Sequence, residues 1–80
     1  MQFIANKTYT LRLATGHESI MTFRITRRSQ ASVWLQRLSS EGKATGEPVR
    51  RSVVPHNGNE TCFPLGRYSM APILSAEKLA

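Results

Sequence analysis

The chain has 80 residues, with 11 Lys and Arg against five Glu and no Asp, a formal net charge of +6 and one cysteine. This length predicts one small domain over residues 1–80, whose core supplies only about 3–5 kcal/mol of stability. A single cysteine excludes an internal disulfide and a zinc site made of four thiolates. The composition therefore argues against a multidomain enzyme, a disulfide-rich toxin and an acidic calcium-binding protein.

Alternating apolar and polar residues predict two antiparallel strands in the first third of the chain. Residues 9–13 place Tyr9 and two leucines on one face, and residues 21–26 place Met21, Phe23 and Ile25 on one face. A period of two is typical of half-buried strands. The polar segment 14–18, which contains a glycine, predicts the hairpin connection between them.

Residues 31–38 have a less regular pattern. Val33 and Leu35 share one strand face, while Trp34 and Leu38 share the other. A helix is the competing assignment, but the β-branched residues favour a strand. Trp34 is then either the anchor of the core or an exposed aromatic side chain. The next segment, residues 39–48, contains two glycines and a proline without apolar periodicity, which predicts a mobile loop.

The last part of the chain predicts three more short strands, over residues 49–54, 60–65 and 68–74, and then a frayed tail over residues 75–80. Pro55 is expected to end the first of these strands, because proline cannot donate to a ladder. Asn57-Gly58 is the strongest turn signal, because both residues readily take the positive φ angles of a tight hairpin. Pro64 indicates an edge strand or a bulge.

Five or six short strands with no room for a crossover helix predict an all-β fold. At this size we expect a small barrel or a two-sheet roll, of the SH3-like or OB-like kind, because such folds conceal their sheet edges. No apolar run has the length of a signal sequence or of a membrane span. These patterns favour a cytoplasmic location.

Two segments carry a resemblance to known proteins. Residues 66–72 read GRYSMAP after the predicted hairpin, and residues 22–29 read TFRITRRS. In both the chain resembles a group of small uncharacterised β-rich proteins of bacterial phages, plasmids and other mobile elements. The resemblance implies an accessory protein that acts inside a bacterial cell, and it carries over no catalytic residue.

Most of the basic residues are arginine, whose planar guanidinium matches phosphate oxygens better than lysine does. Arg12 and Arg24 are predicted to lie on the outer face of neighbouring strands, flanked by threonines. The candidate nucleic-acid-binding residues are Arg12, Arg24, Arg27, Arg28, Arg50 and Arg51, with Trp34 as a candidate group for base stacking. The alternative interpretation is that these arginines only solvate the surface or contact acidic protein.

The remaining chemistry-bearing residues do not form a recognisable site. His17, His56 and Cys62 are scattered and lack the close pairs of a zinc site, so we expect no metal and no cofactor. The glutamates fall in predicted turns, loops and the tail, so neither paired-carboxylate nor nucleophilic catalysis is indicated. The sequence therefore predicts a protein that is not an enzyme.

The leading hypothesis is a small basic binding module that contacts DNA or RNA, mostly through the phosphate backbone. The alternative is a mobile-element accessory protein that docks on a host protein or nucleoprotein complex, with the apolar residues 70–74 as its anchor. A third prediction is self-association, since the small core and the proline-interrupted last strand suit pairing between chains.

Overall fold

The computed structural model, which describes residues 1–14 and 18–79, confirms the all-β prediction: its described residues form seven strands and no helix. Since the described part of the chain is free of helix, none of it forms an apolar helix that could span a bilayer. The tip of the first predicted hairpin, residues 15–17, lies outside the described residues. The strands are β1 (Thr8–Ala14), β2 (Glu18–Arg28), β3 (Ser32–Leu38), β4 (Ala44–Ser52), β5 (Val54–His56), β6 (Asn59–Cys62) and β7 (Leu74–Ser75).

The first sheet is an antiparallel meander in the order β1-β2-β3-β4. Tyr9 pairs with Phe23 and Leu11 pairs with Met21, and all four side chains are buried. The apolar residues of both strands therefore lie on the same face, as the alternation predicted. A shift of one residue would expose this whole set, which fixes the register.

The second sheet has the order β5-β6-β7 and begins with the predicted tight turn. His56 pairs with Asn59, and the two residues between them have positive φ angles of 51° at Asn57 and 81° at Gly58. Asn and Gly adopt such angles readily, so the turn prediction is confirmed. Pro55 does not end a strand as predicted; it pairs with Glu60 within β5. The position suits proline because β5 is an edge strand of its sheet.

The two sheets do not close into a barrel among the described residues, so the small barrel, the preferred prediction, is wrong; the strands instead form two antiparallel sheets of four and three strands. β1 contacts the C-terminal segment through one isolated bridge, Tyr9 with Leu79, and one hydrogen bond from the Thr10 amide to the Lys78 carbonyl (3.0 Å). The predicted strand 68–74 is mostly irregular, and Met70 in it has a φ of 60°. Only Leu74 and Ser75 of this segment form a strand, β7, which pairs with β6. With two residues, β7 is too short to continue the first sheet.

Two segments are more ordered in secondary structure than the sequence indicated. β4 begins at Ala44, which leaves residues 39–43 as the connection from β3 instead of the whole of 39–48. The predicted tail contains the buried Ala76, whose amide donates to the Glu60 carbonyl (2.9 Å). Backbone hydrogen bonds to other elements, which a composition-based reading does not detect, account for both differences.

The core lies between the inner face of the first sheet and the second sheet. Its fully buried large side chains include Tyr9, Phe3, Ile25, Leu35 and Leu74. The rings of Phe3 and Tyr9 make an edge-on contact with centroids 5.0 Å apart, and the Tyr9 hydroxyl accepts a hydrogen bond from the Ile4 amide (2.9 Å). This geometry is favourable for aromatic pairs and leaves the buried hydroxyl with a partner.

A β-bulge in β2 reverses the alternation of its side chains. Ile25 pairs with Leu35, but it is Arg27 and not Thr26 that pairs with Trp34. Thr26 is the extra residue, and its hydroxyl donates to the Trp34 carbonyl (3.4 Å). Beyond the bulge Arg27 shares the outer face with Trp34, and Arg28 shares the inner face with its partner Val33, which is fully buried.

Arg28 connects the first sheet to the second sheet and to the N-terminal segment. Its guanidinium donates to both carboxylate oxygens of Glu60 (2.7 and 3.1 Å) and to the Phe3 carbonyl (2.6 Å). The Phe3 amide also donates to the Glu60 carboxylate (2.7 Å). The hydrogen bond from Arg28 is the largest cause that holds the pKa of Glu60 below its usual value, and the Phe3 amide adds to it.

We expect the substitution Glu60→Gln to lower the free energy of unfolding at pH 7 by about 2 kcal/mol, because it breaks a charge-assisted, partly buried pair. A carboxyl whose pKa is lowered by folding stabilises the native state above its unfolded pKa and loses this effect as pH falls. Urea unfolding at several pH values should therefore show wild type and Glu60→Gln converging in acid. A difference that stays constant down to pH 2 would contradict the role assigned to the ion pair.

Candidate functional site

The candidate site is the outer face of the first sheet, which is the face directed away from the core. Pairing register places Arg12, Arg24, Arg27, Trp34 and Arg50 on it, together with Thr10 and Thr22. Thr10 and Thr22 are cross-strand neighbours, and both are half-buried. Arg12 pairs with Ile20, four residues from Arg24, which corresponds to about 13 Å along β2. The arginines thus extend along the face.

Arg27, Trp34 and Arg50 occupy one row across three strands. Arg27 pairs with Trp34 across β2 and β3, and Trp34 pairs with Arg50 across β3 and β4. The guanidinium carbon of Arg27 lies 4.7 Å from the centroid of the indole ring, and that of Arg50 lies 5.6 Å from it. Both distances are within the range of cation–π attraction. Two positive charges therefore lie near one indole ring, one from each neighbouring strand.

Trp34 does not anchor the core, which is one of the two roles weighed from the sequence. It is half-buried, and the core is anchored by Tyr9 and Phe3 instead. Both guanidinium groups lie within cation–π range of its ring, and a role of Trp34 in base stacking stays a prediction. Its effect on a ligand is to orient the arginines, whose own planar groups are suited to phosphate oxygens and to base faces.

Arg28 and Arg51 do not lie on the outer face, which corrects the predicted set. Arg28 pairs with Val33 and binds Glu60, while Arg51 also pairs with Val33 and donates through Nε to the Pro64 carbonyl (3.2 Å). Neighbouring residues of a strand point to opposite faces, so Arg27-Arg28 and Arg50-Arg51 each contribute one arginine to the outer face. The bulge at Thr26 decides which member of the first pair does so.

The outer face contains arginines that have no carboxylate partner within residues 1–14 and 18–79. Among the described residues, ion pairs join Arg28 to Glu60 and Lys43 to Glu41. Arg24, Arg27 and Arg50 have no carboxylate partner in this described part of the chain. Such a field attracts anionic partners and is screened by salt.

Two neighbouring groups support the site, and sequence reasoning did not identify them. Ser32 is buried, and its hydroxyl accepts a hydrogen bond from Arg50 Nε (3.3 Å). Gln36 is also buried, and its amide donates to the carbonyls of Thr45 (2.9 Å) and Gly46 (3.0 Å), where β4 departs from regular pairing. No motif marks either residue, because their roles follow from the β3–β4 register.

The residues considered for metal binding are not brought together. No three His, Cys, Asp or Glu side chains cluster among the described residues, which leave out His17. Cys62 is fully buried, and desolvation raises the pKa of its thiol to about 12, so it is held as the neutral thiol. It packs in the core as the sequence indicated.

Comparison of the chain with protein-family models, with curated protein sequences and with solved structures gives no significant match. The resemblance to mobile-element proteins therefore stays a prediction. Any assignment of function depends on the chemistry of the outer face.

A double-mutant cycle tests the contact between Arg27 and Trp34. We expect Arg27→Ala and Trp34→Leu to show a coupling free energy of about 0.5–1 kcal/mol, because each substitution removes one partner of the same cation–π pair. Urea unfolding of the wild type, both single variants and the double variant measures it. The matched control pairs Trp34→Leu with Arg37→Ala, since Arg37 is an exposed β3 arginine on the opposite strand face. Equal coupling in the two cycles would contradict the assigned contact.

Proposed function

We propose that this protein is a non-enzymatic module that binds a nucleic-acid strand, DNA or RNA, along the outer face of its first sheet. Arg24, Arg27 and Arg50 contact phosphates, and Arg12 extends the contact surface toward the far end of β2. The observation that carries the proposal is the row of Arg27, Trp34 and Arg50, in which one aromatic ring holds two guanidiniums that have no carboxylate partner among the described residues.

The guanidiniums of Arg27 and Arg50 carry like charges. Two guanidiniums close to one ring repel each other, and the attraction of each for the indole offsets part of that repulsion. An anion bound by these guanidiniums lowers the repulsion and gains charge-assisted hydrogen bonds. Because a phosphodiester backbone presents such anions at regular intervals, it satisfies several arginines along the face at once. The threonine hydroxyls between Arg12 and Arg24 add neutral donors to phosphate or sugar oxygens.

Such contacts are to the backbone, so binding is weakly dependent on base sequence. Arg28 and Arg51 are not part of this face: the guanidinium of Arg28 binds Glu60, and Arg51 lies on the opposite face of β4. The function proposed here therefore rests on fewer arginines than the sequence indicated. The proposal includes a role as an accessory protein of a mobile genetic element in the bacterial cytoplasm.

We expect the affinity for a single-stranded oligonucleotide to fall about 20-fold when salt is raised from 50 to 200 mM, because neutralising three phosphates releases their condensed counterions. Fluorescence anisotropy with a labelled octathymidylate measures this dependence. Arg24→Ala should weaken binding and reduce the slope of log affinity against log salt by about 0.7. Arg37→Ala, which removes the same charge outside the face, should leave the slope unchanged. Absence of binding at 50 mM salt would exclude the proposed function.

A second candidate function is docking on a host protein, and the irregular segment after β6 favours it. Leu65, Tyr68, Met70 and Ile73 are exposed large apolar residues around a surface hollow of about 520 Å³, with Met70 97% exposed. A grouped apolar surface of this kind is more typical of a protein contact than single scattered residues are. Leu74, predicted as part of the anchor, is fully buried and belongs to the core.

Affinity capture from a nuclease-treated bacterial lysate separates the two candidates. If the protein docks through this hollow, Met70→Ser should lose a partner that survives nuclease treatment, because it removes an exposed contact without disturbing the core. Ile4→Ser, a change at an exposed apolar residue elsewhere, is the control and should retain the partner. Loss of all captured partners on nuclease treatment would reject docking in favour of nucleic-acid binding.

A further inference from the structure

A second basic site lies at the free edge of β4, where a pocket of about 260 Å³ separates that strand from the segment after β6. Its lining residues are Arg50, Arg51, Ser52, Val54, Phe63, Gly66 and Arg67. Arg50 and Arg51 point to opposite faces of the sheet, and both reach the pocket because it lies at the edge. Three arginines therefore line one small pocket.

Each of the three guanidiniums is held by a contact with a neighbouring group. Arg50 Nε donates to the Ser32 hydroxyl (3.3 Å), and Arg51 Nε donates to the Pro64 carbonyl (3.2 Å). The guanidinium carbon of Arg67 lies 4.9 Å from the centroid of the Phe63 ring. The hydrogen bonds of Arg50 and Arg51 use only Nε, so their terminal Nη groups have no hydrogen-bond acceptor among the described residues. Oriented donors of this kind bind an anion with little loss of side-chain entropy.

The charge in the pocket has no counterpart in the described part of the chain. Of the ion pairs found there, neither involves Arg50, Arg51 or Arg67. Three positive charges stabilise a dianion more than a monoanion. A phosphate monoester is mainly a dianion at neutral pH, because its second pKa is about 6, whereas a phosphodiester carries one charge. The pocket is also smaller than the roughly 300–1,000 Å³ typical of drug-sized ligands, which suits a single phosphoryl group.

We propose that this pocket binds a phosphate monoester through Arg50, Arg51 and Arg67, with the Ser52 hydroxyl as a further donor. Arg50 borders both this pocket and the Trp34 row, so a strand on the outer face can place its terminal phosphate here. In this form the inference rests on the proposed function and adds recognition of a strand end. The same chemistry also fits a free mononucleotide, which requires no bound strand.

The test compares octathymidylates with a 5′-phosphate, a 3′-phosphate or no terminal phosphate, together with adenosine 5′-monophosphate, by anisotropy and calorimetry at 50 mM salt. We expect one terminal phosphate to raise the affinity of the strand about tenfold, as one or two charge-assisted hydrogen bonds do. Arg67→Ala should abolish this preference and keep the affinity for the unphosphorylated strand. Arg67 is exposed and is not one of the buried core residues, so the variant should fold. Arg37→Ala, with the same net charge, should retain the preference.

The outcomes separate the two proposals. A terminal-phosphate preference that only Arg67→Ala abolishes supports strand-end recognition. Binding of the mononucleotide that Arg67→Ala abolishes, without any such preference, supports the pocket with a free ligand as its source. Equal affinities for all three strands with no mononucleotide binding would overturn the pocket, while salt-dependent binding of the unphosphorylated strand keeps the proposed function. If no strand binds, the proposed function is wrong. In that case the pocket proposal is supported if the mononucleotide binds and overturned if it does not.

Discussion

The bulge at Thr26 is the constraint on which both the outer face and the link between the sheets depend. In a regular strand Arg28, and not Arg27, would follow Arg24 on the outer face. The additional residue reverses this order, so that Arg27 pairs beside Trp34 while Arg28 turns toward Glu60. One local irregularity therefore assigns one arginine to the surface and its neighbour to the structure. Bulges commonly redirect side chains in this way.

The two assignments use the same chemical group with opposite results. Arg28 is fixed by both oxygens of a carboxylate and by a carbonyl, and its charge is neutralised within the fold. Among the described residues, the guanidinium of Arg27 contacts the indole ring of Trp34, which orients it without neutralising its charge. The partner of each guanidinium therefore determines its role: a carboxylate neutralises Arg28, whereas an aromatic ring leaves the charge of Arg27 able to bind an anion. This distinction, and not the number of arginines, defines the surface that we propose binds nucleic acid.

Much of the fold could be predicted from the sequence because its alternation is strong where one face is buried. The pairing of Tyr9 with Phe23 and the Asn57-Gly58 turn follow from period and from backbone preference. The course of residues 68–79 could not be predicted, because it depends on hydrogen bonds to β1 and β6 that are distant in sequence. Short polar segments carry no periodic signal of such contacts.

The arginine set was partly predictable for a related reason. Arg12 and Arg24 lie in regularly paired parts of β1 and β2, so the alternation of side chains predicts their face directly. Arg28 required knowledge of the bulge, and the doublet Arg50-Arg51 could never share one face. Arg67 follows an irregular turn at Gly66, where neither alternation nor a motif indicates a partner. Sequence patterns therefore predict that the site consists of arginines, but they predict less well which arginines belong to it.

The course of β4 has a consequence for colloidal behaviour. Its outer edge is unpaired, and an unpaired edge invites strand addition and fibril growth. Here that edge contains Gly46 with a φ of 71° and then Pro48, while the Gln36 amide draws the carbonyls of Thr45 and Gly46 inward. A strand from a second chain that pairs with this edge meets an interrupted hydrogen-bond ladder and then the side chains of Arg50 and Arg51. These interruptions make the edge a poorer template for strand addition than a regular edge would be.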